Sequence, residues 1–325
     1  MVHYKFVFFS FILLMACNNP VAPADSEQEH ELMVGPRKTI RLVVLGTVQD
    51  AGSPQIGCQK ECCADLFEYP DPKRMVVSLG LIDDTFRKTY LFEATPDMPK
   101  QVEMLNRQSG SDLSKVPDAV FLTHAHIGHY TGLMYLGKEA MNANKVKTYA
   151  MPRMSNFLTT NGPWSQLVAS ENIVLDVLDT NRIIPLGPEI TVKPILVPHR
   201  DEFSETVGYI IQGPNKKVLF IPDIDKWEKW ETDIVELVKS VDYAFLDATF
   251  YDGAEINNRD ISEIPHPFVV ESMKTFGSLA HEERQKIYLI HFNHTNPLLG
   301  DDELQTGVVQ EFGFNITKTE MVLEL

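Results

Sequence analysis

Seven of the ten histidines stand at predicted strand ends or in loops: His124, His126 and His129 in FLTHAHIGHYTGL, His199 in LVPHRDEF, His266 in EIPHPF, and His291 and His294 in LIHFNHTNP. A lone histidine in such a place is more often a hydrogen-bonded structural residue. Three within six residues, directly after an apolar strand, are different, because neutral imidazoles converging at a strand end are what a zinc or iron site requires. Cys58, Cys62 and Cys63 form a second group, all within GCQKECC. An odd number cannot all pair internally, and a bridge between the adjacent Cys62 and Cys63 would be strained. Thiolate ligation suits them better, with a histidine from elsewhere completing a Cys3His zinc site. The alternative is one disulfide beside a bystander thiol.

The elements that must position these groups are short. Strands are predicted over 40–46, 75–82, 89–94, 119–123, 145–150, 173–178, 190–197, 206–212, 217–221, 243–246 and 287–290, from β-branched and aromatic runs bounded by turn formers. Gly213-Pro214-Asn215 predicts a hairpin between two of them. Helices are expected over 97–108, 130–142 and 268–280. Trp227, Trp230, Ile234, Leu237 and Val238 predict one more, with a core-facing stripe. No linker divides the chain after residue 39, so 39–325 reads as one α/β domain.

The first 16 residues, MVHYKFVFFSFILLMA, have the length of an export signal and are too short for the ~20 residues of a membrane-spanning helix. Leu14-Met15-Ala16-Cys17 resembles a bacterial lipobox, which makes Cys17 a lipid-carrying N-terminus. Residues 17–38 then form a polar tether. The expected location is a bacterial membrane surface facing periplasm or exterior. A chain 44% apolar and 23% charged is an ordinary globular protein. Its net charge of −16 repels a phosphate backbone, so a nucleic-acid partner is not expected. Oligomeric state is not legible.

THAHIGH is similar to the His-x-His-x-Asp-His signature of the metallo-β-lactamase superfamily. LGTVQDAG, His199, Asp223 in LFIPDID and His291 follow the order of that superfamily's elements. The cysteine cluster, and His294 three residues after His291, resemble the branch that contains coenzyme PQQ synthesis protein B and the cyclic phosphodiesterase of the carbon-phosphorus lyase pathway. The resemblance implies a four-layer αββα sandwich with a first metal on His124, His126 and His199. It implies a second on His129 and His291, a bridging Asp223, and a structural zinc on Cys58, Cys62, Cys63 and His294. Gly128 stands where the signature has aspartate, which implies a weaker or differently filled second site. Asp50, Asp201, Asp225 and His266 are the candidates to substitute.

The implied chemistry is hydrolysis of a small phosphodiester, ester or lactone by a metal-activated hydroxide. Asp223 or His266 would pass a proton to the leaving group, and Arg200 would bind an anionic group or pair with Asp201 or Glu202. Zinc is the expected metal, with iron or manganese as alternatives in the active site. Two other readings compete: an iron-dependent oxidative enzyme, and a ligand-binding lipoprotein without catalysis.

Overall fold

Alternating apolar runs place the chain in two seven-stranded sheets. The computed structural model describes residues 1, 3, 39–110, 116–256, 259–300 and 303–325. Cys17 and the rest of the expected leader and tether lie outside the described residues. Among the described residues, no helix is long and apolar enough to cross a membrane. Pro36–Leu325 forms one compact unit.

The first half of the chain supplies β1 (Ile40–Gly46), β2 (Ser78–Asp83), β3 (Lys88–Phe92), β4 (Ala119–Phe121), β5 (Val146–Ala150) and β6 (Ile173–Val177). The second half supplies β7 (Ile184–Pro185), β8 (Thr191–Leu196), β9 (Val207–Gln212), β10 (Lys217–Ile221), β11 (Tyr243–Asp247), β12 (Ile287–Ile290) and β13 (Asn315–Ile316). The final strand, β14 (Val322–Glu324), returns to the first sheet and pairs with β1, Leu42 opposite Leu323. The orders are β14-β1-β2-β3-β4-β5-β6 and β13-β12-β11-β10-β9-β8-β7. Each sheet runs through antiparallel pairings and then parallel ones, the change falling at β3 and at β10.

Between the sheets lies an aromatic core. Phe92 stacks on Phe121 at 4.8 Å between ring centroids and meets Tyr209 edge-on at 5.5 Å and Phe220 at 6.4 Å. All four are buried, each contributing about 1.5–3 kcal/mol of transfer free energy if counted like other large apolar side chains. A second apolar cluster packs the helices Met98–Ser109 and Pro152–Thr160 on the outer face of the first sheet. A third packs Ile234–Lys239 and Val269–Thr275 on the second. The result is the expected four-layer αββα sandwich.

Three helices depart from expectation, one of them only in length, since that expected over 268–280 spans Val269–Thr275. In place of one helix over 130–142, a single turn at Ile127–Tyr130 runs into a 3₁₀ segment, Thr131–Leu136. The cause is close docking: a Cβ at Gly132 would lie 2.1 Å from the Thr95 carbonyl oxygen. The apolar stripe after Asp225 is also two elements, the 3₁₀ turn Trp227–Lys229 and the helix Ile234–Lys239. Asp233 starts the second by accepting from the Val235 and Glu236 amides, a cap that interrupts the stripe. Trp227, Ile234 and Val238 still face the core.

Candidate metal centre

The strands β1, β3, β4, β8, β10, β11 and β12 all run in one direction within their sheets, and the chemistry-bearing residues follow their carboxyl ends, as ligand sites do in open α/β sheets. The first sheet supplies Asp50, Glu93 and the turn His124–His129. The second supplies His199, Asp223, Asp247 and His291.

Four donors gather first. His124 Nε2 lies 2.9 Å from His126 Nδ1, and His199 Nε2 lies 3.2 Å from the same atom. These separations approach the edge of about 3.3 Å of a tetrahedron with zinc–nitrogen bonds of 2.0–2.1 Å. The outer ring atoms of two of these histidines have partners: Thr123 Oγ1 is 2.8 Å from His124 Nδ1, and Glu202 Oε2 is 3.2 Å from His126 Nε2. Ser204 Oγ accepts from the Ala125 amide, tying the loop after His199 to the histidine turn.

Asp223 Oδ2 stands at the centre. It lies 3.1 Å from His199, 3.3 Å from His124, 3.8 Å from His129 and 3.9 Å from His126. One oxygen therefore faces both donor sets, the geometry of a bridging carboxylate.

The second set contains a residue the signature did not assign. Asp50 Oδ1 lies 2.8 Å from His129 Nε2 and 3.2 Å from His291 Nε2. Asp50, His129, Asp223 and His291 can all offer ligand atoms to one point. Gly128 makes room for this: a Cβ there would lie 2.5 Å from the Asp50 Cα and 2.8 Å from its Cγ. Of the other candidate substitutes, Asp225 pairs with Lys229 at 2.9 Å and Asp201 accepts from Thr206, so neither joins the site. Arg200 lies 3.5 Å from Glu202, the salt-bridge alternative.

His266 reaches the opposite side. Its Nδ1 is 2.9 Å from Asp247 Oδ2 and 3.2 Å from Asp223 Oδ1. Asp247, missed in the sequence, organises this side, because its Oδ1 accepts from the Thr249 amide and hydroxyl and its Oδ2 from the Ile224 amide. Thr249 Oγ1 in turn lies 2.8 Å from His291 Nδ1. Glu93 was also missed; fully buried, its Oε2 lies 3.5 Å from His129 Nδ1. The available signal was a carboxylate closing an apolar strand, in YLFEAT and in AFLDAT.

Electrostatics fit a cation. Burial drives the Asp223 carboxyl upward, but His199 and His266 outweigh it and hold the group well below the carboxylate range. Burial likewise opposes ionisation of Asp50, and His129 and His291 overcome it. The imidazoles answer in kind: against burial, Asp247 and Asp223 push His266 up to about 10, and Asp247 and Asp50 push His291 up to about 9. His129 rises between Asp50 and Glu93, also against burial, whereas burial and the neighbouring His129 charge push His124 well down. His199 Nδ1 and Asp223 Oδ1 are buried without a hydrogen bond. Converging carboxylates that draw protons onto adjacent imidazoles suit a metal cofactor, which would supply that positive charge instead.

A separate cluster is built from the segment that follows Asp50 and from His294. Cys58, Cys62 and Cys63 are free thiols, and their sulfurs and a His294 ring nitrogen fall within 4.8 Å of one another. The adjacent Cys62 and Cys63 sulfurs are 3.9 Å apart, compatible with two zinc–sulfur bonds of ~2.3 Å.

The family model described as beta-lactamase superfamily domain matches residues 88–292. The chain belongs to the metallo-β-lactamase superfamily. Its resemblance within the superfamily is to the PqqB-like branch. It is 21% identical over 313 residues to coenzyme PQQ synthesis protein B of Methylorubrum extorquens strain PA1, covering 88% of this chain and all of that protein. The crystal structure of Zn2+-bound PqqB from Methylobacterium extorquens superposes with a TM-score of 0.72 at 22% identity, covering 88% of this chain and 100% of that one. A diphosphatase of the PhnP family superposes with a TM-score of 0.64 at 21% identity, covering 88% and 97%. Both likenesses are of fold.

Proposed function

We propose that this protein is a metal-dependent hydrolase acting on small phosphodiester, ester or lactone substrates, with two ions in the active site. The observation that carries the reading is the position of Asp223 Oδ2, within 3.1–3.9 Å of four imidazoles drawn from both sheets. His124, His126 and His199 would hold one ion and His129, His291 and Asp50 the other, with Asp223 between them. When bound, such ions make an ionised water available near neutral pH and polarise the substrate oxygen. The chain's own contribution is placement and proton handling. Glu202 and Thr123 fix two of the imidazoles, and His266, held by Asp247, carries a proton beside Asp223 for the leaving group. Zinc is favoured by the three imidazoles of the first donor set, and a PqqB structure in the same fold carries Zn2+.

An iron-dependent oxidative enzyme would use the open positions that the loss of aspartate at Gly128 implies, and Asp50 places a carboxylate on that side, 2.8 Å from His129. The resemblance of residues 1–16 to an export signal and of Leu14-Met15-Ala16-Cys17 to a lipobox supports attachment to a bacterial membrane surface.

The test is turnover of a phosphodiester, a phosphoanhydride, an ester and a lactone by zinc- and manganese-loaded protein, beside His124→Ala. Turnover abolished in the variant supports the reading. Oxygen consumption with iron and no hydrolysis of any class would overturn it.

A further inference from the structure

The carboxylate that completes the second donor set comes from an unusual place in the chain. In the signature the aspartate sits one residue before His129, on the same turn. Here it sits at Asp50, at the start of the segment that the cysteines close. The two ends of that segment are fixed separately. At its start, the Gln49 amide donates to Phe292 O at 2.9 Å, beside His291. At its far end, the Gln55 amide donates to Cys63 Sγ at 3.4 Å, and the three sulfurs face His294. Arg74 Nη1, donating to Ser53 Oγ at 3.1 Å, is a side-chain support between them. His291 and His294 leave the same strand, β12, so one short stretch serves both clusters.

We propose that the cysteine cluster governs the second active-site ion in this chain: zinc held by Cys58, Cys62, Cys63 and His294 fixes the segment that presents Asp50, so the second ion depends on the first cluster being filled. This rests on the two-ion reading above. The ion on His124, His126 and His199 has no such dependence, because its donors and their supports, Thr123, Glu202 and Ser204, lie outside the segment. The same reasoning assigns Asp50 as a metal ligand.

The experiment counts zinc. Wild-type protein, Asp50→Ala and Cys58→Ser are stripped, reloaded at limiting free zinc and measured by elemental analysis, with circular dichroism as the check of folding. Asp50→Ala is expected to lose about one ion per chain and Cys58→Ser about two. The second-site affinity in Cys58→Ser should fall roughly 10–100-fold, the range for loss of an outer support. Should Cys58→Ser fail to fold, a thiol-directed mercurial titrated into folded wild-type protein replaces it, with release of about two zinc ions per chain expected. Release of a single ion, or an Asp50→Ala variant with wild-type zinc content, overturns the proposal. Failure of the two-ion reading is seen separately, as wild-type protein that never holds the second active-site ion, and it overturns both.

Discussion

Gly128 and Asp50 exclude one another's bulk: a side chain at 128 would begin 2.5 Å from the Asp50 Cα. The glycine in the histidine signature is therefore the space into which a carboxylate from the turn after β1 is delivered. Putting a side chain back at 128 works against the site. Gly128→Ala is expected to cost about 1–3 kcal/mol through overpacking and to lower zinc content at the second site. Gly128→Asp should do the same, because the obstructing atom is backbone. Chemical denaturation with elemental analysis checks both, and a stabilised, zinc-replete Gly128→Asp would refute the relationship.

Glu202 fixes His126 from outside, 3.2 Å from its Nε2, which leaves Nδ1 to face His124 and His199. Glu202→Gln should lower first-site zinc affinity by roughly 10–100-fold. Because the side chain is 47% exposed, unfolding free energy should change by less than about 0.5 kcal/mol. Zinc-competition titration beside denaturant unfolding separates the two effects.

The metal-free protein should be sensitive to alkali. His266 at about 10 and His291 at about 9 lie above the unfolded value of 6.5. Raised folded values mean that the stability these imidazoles contribute is complete below about pH 6.5 and is lost as pH rises through 9 to 10. Bound metal takes over the positive charge at His291 and requires that ligand unprotonated, so loading releases its proton and tightens as pH rises, while His266, outside both ions, keeps its own. The Tm of stripped protein should fall from about pH 7 to 10 while that of loaded protein holds. Parallel declines would show that the imidazoles carry no protons.

Phe92 touches Phe121, Tyr209 and Phe220 between the sheets. Phe92→Ala is expected to cost about 3–5 kcal/mol of unfolding free energy. Zinc content of the folded fraction should be unchanged, which distinguishes a loss of sheet packing from a loss of ligands.

Most of the metal centre was legible because its histidines and Asp223 are polar residues abruptly ending apolar strands. Eleven of the fourteen strands among the described residues were legible for the same reason, three with exact bounds and the rest off by one to three residues, while the short β7, β13 and β14 were not foreseen. Asp50 was named only as one of four candidates, since nothing local to QDAG indicates that β1 ends beside β12; that proximity is made by the bridge from Val48 to Phe292. Asp247 and Glu93 stayed hidden because a carboxylate at a strand end usually meets water, and only the docking of the two sheets buries these. The broken helices were missed because periodicity reports which face is apolar and says nothing of a cap at Asp233 or a close approach at Gly132.

The donors are divided between the halves of the chain, Asp50 and His124–His129 before the passage from Val177 to Ile184, the remainder after it. A polypeptide severed in that passage yields two pieces, neither able to chelate as the whole does, and the later piece also carries β14, which belongs to the earlier one's sheet. Metal uptake would then serve as a readout of fragment reassembly, a natural split reporter with the ions as its signal.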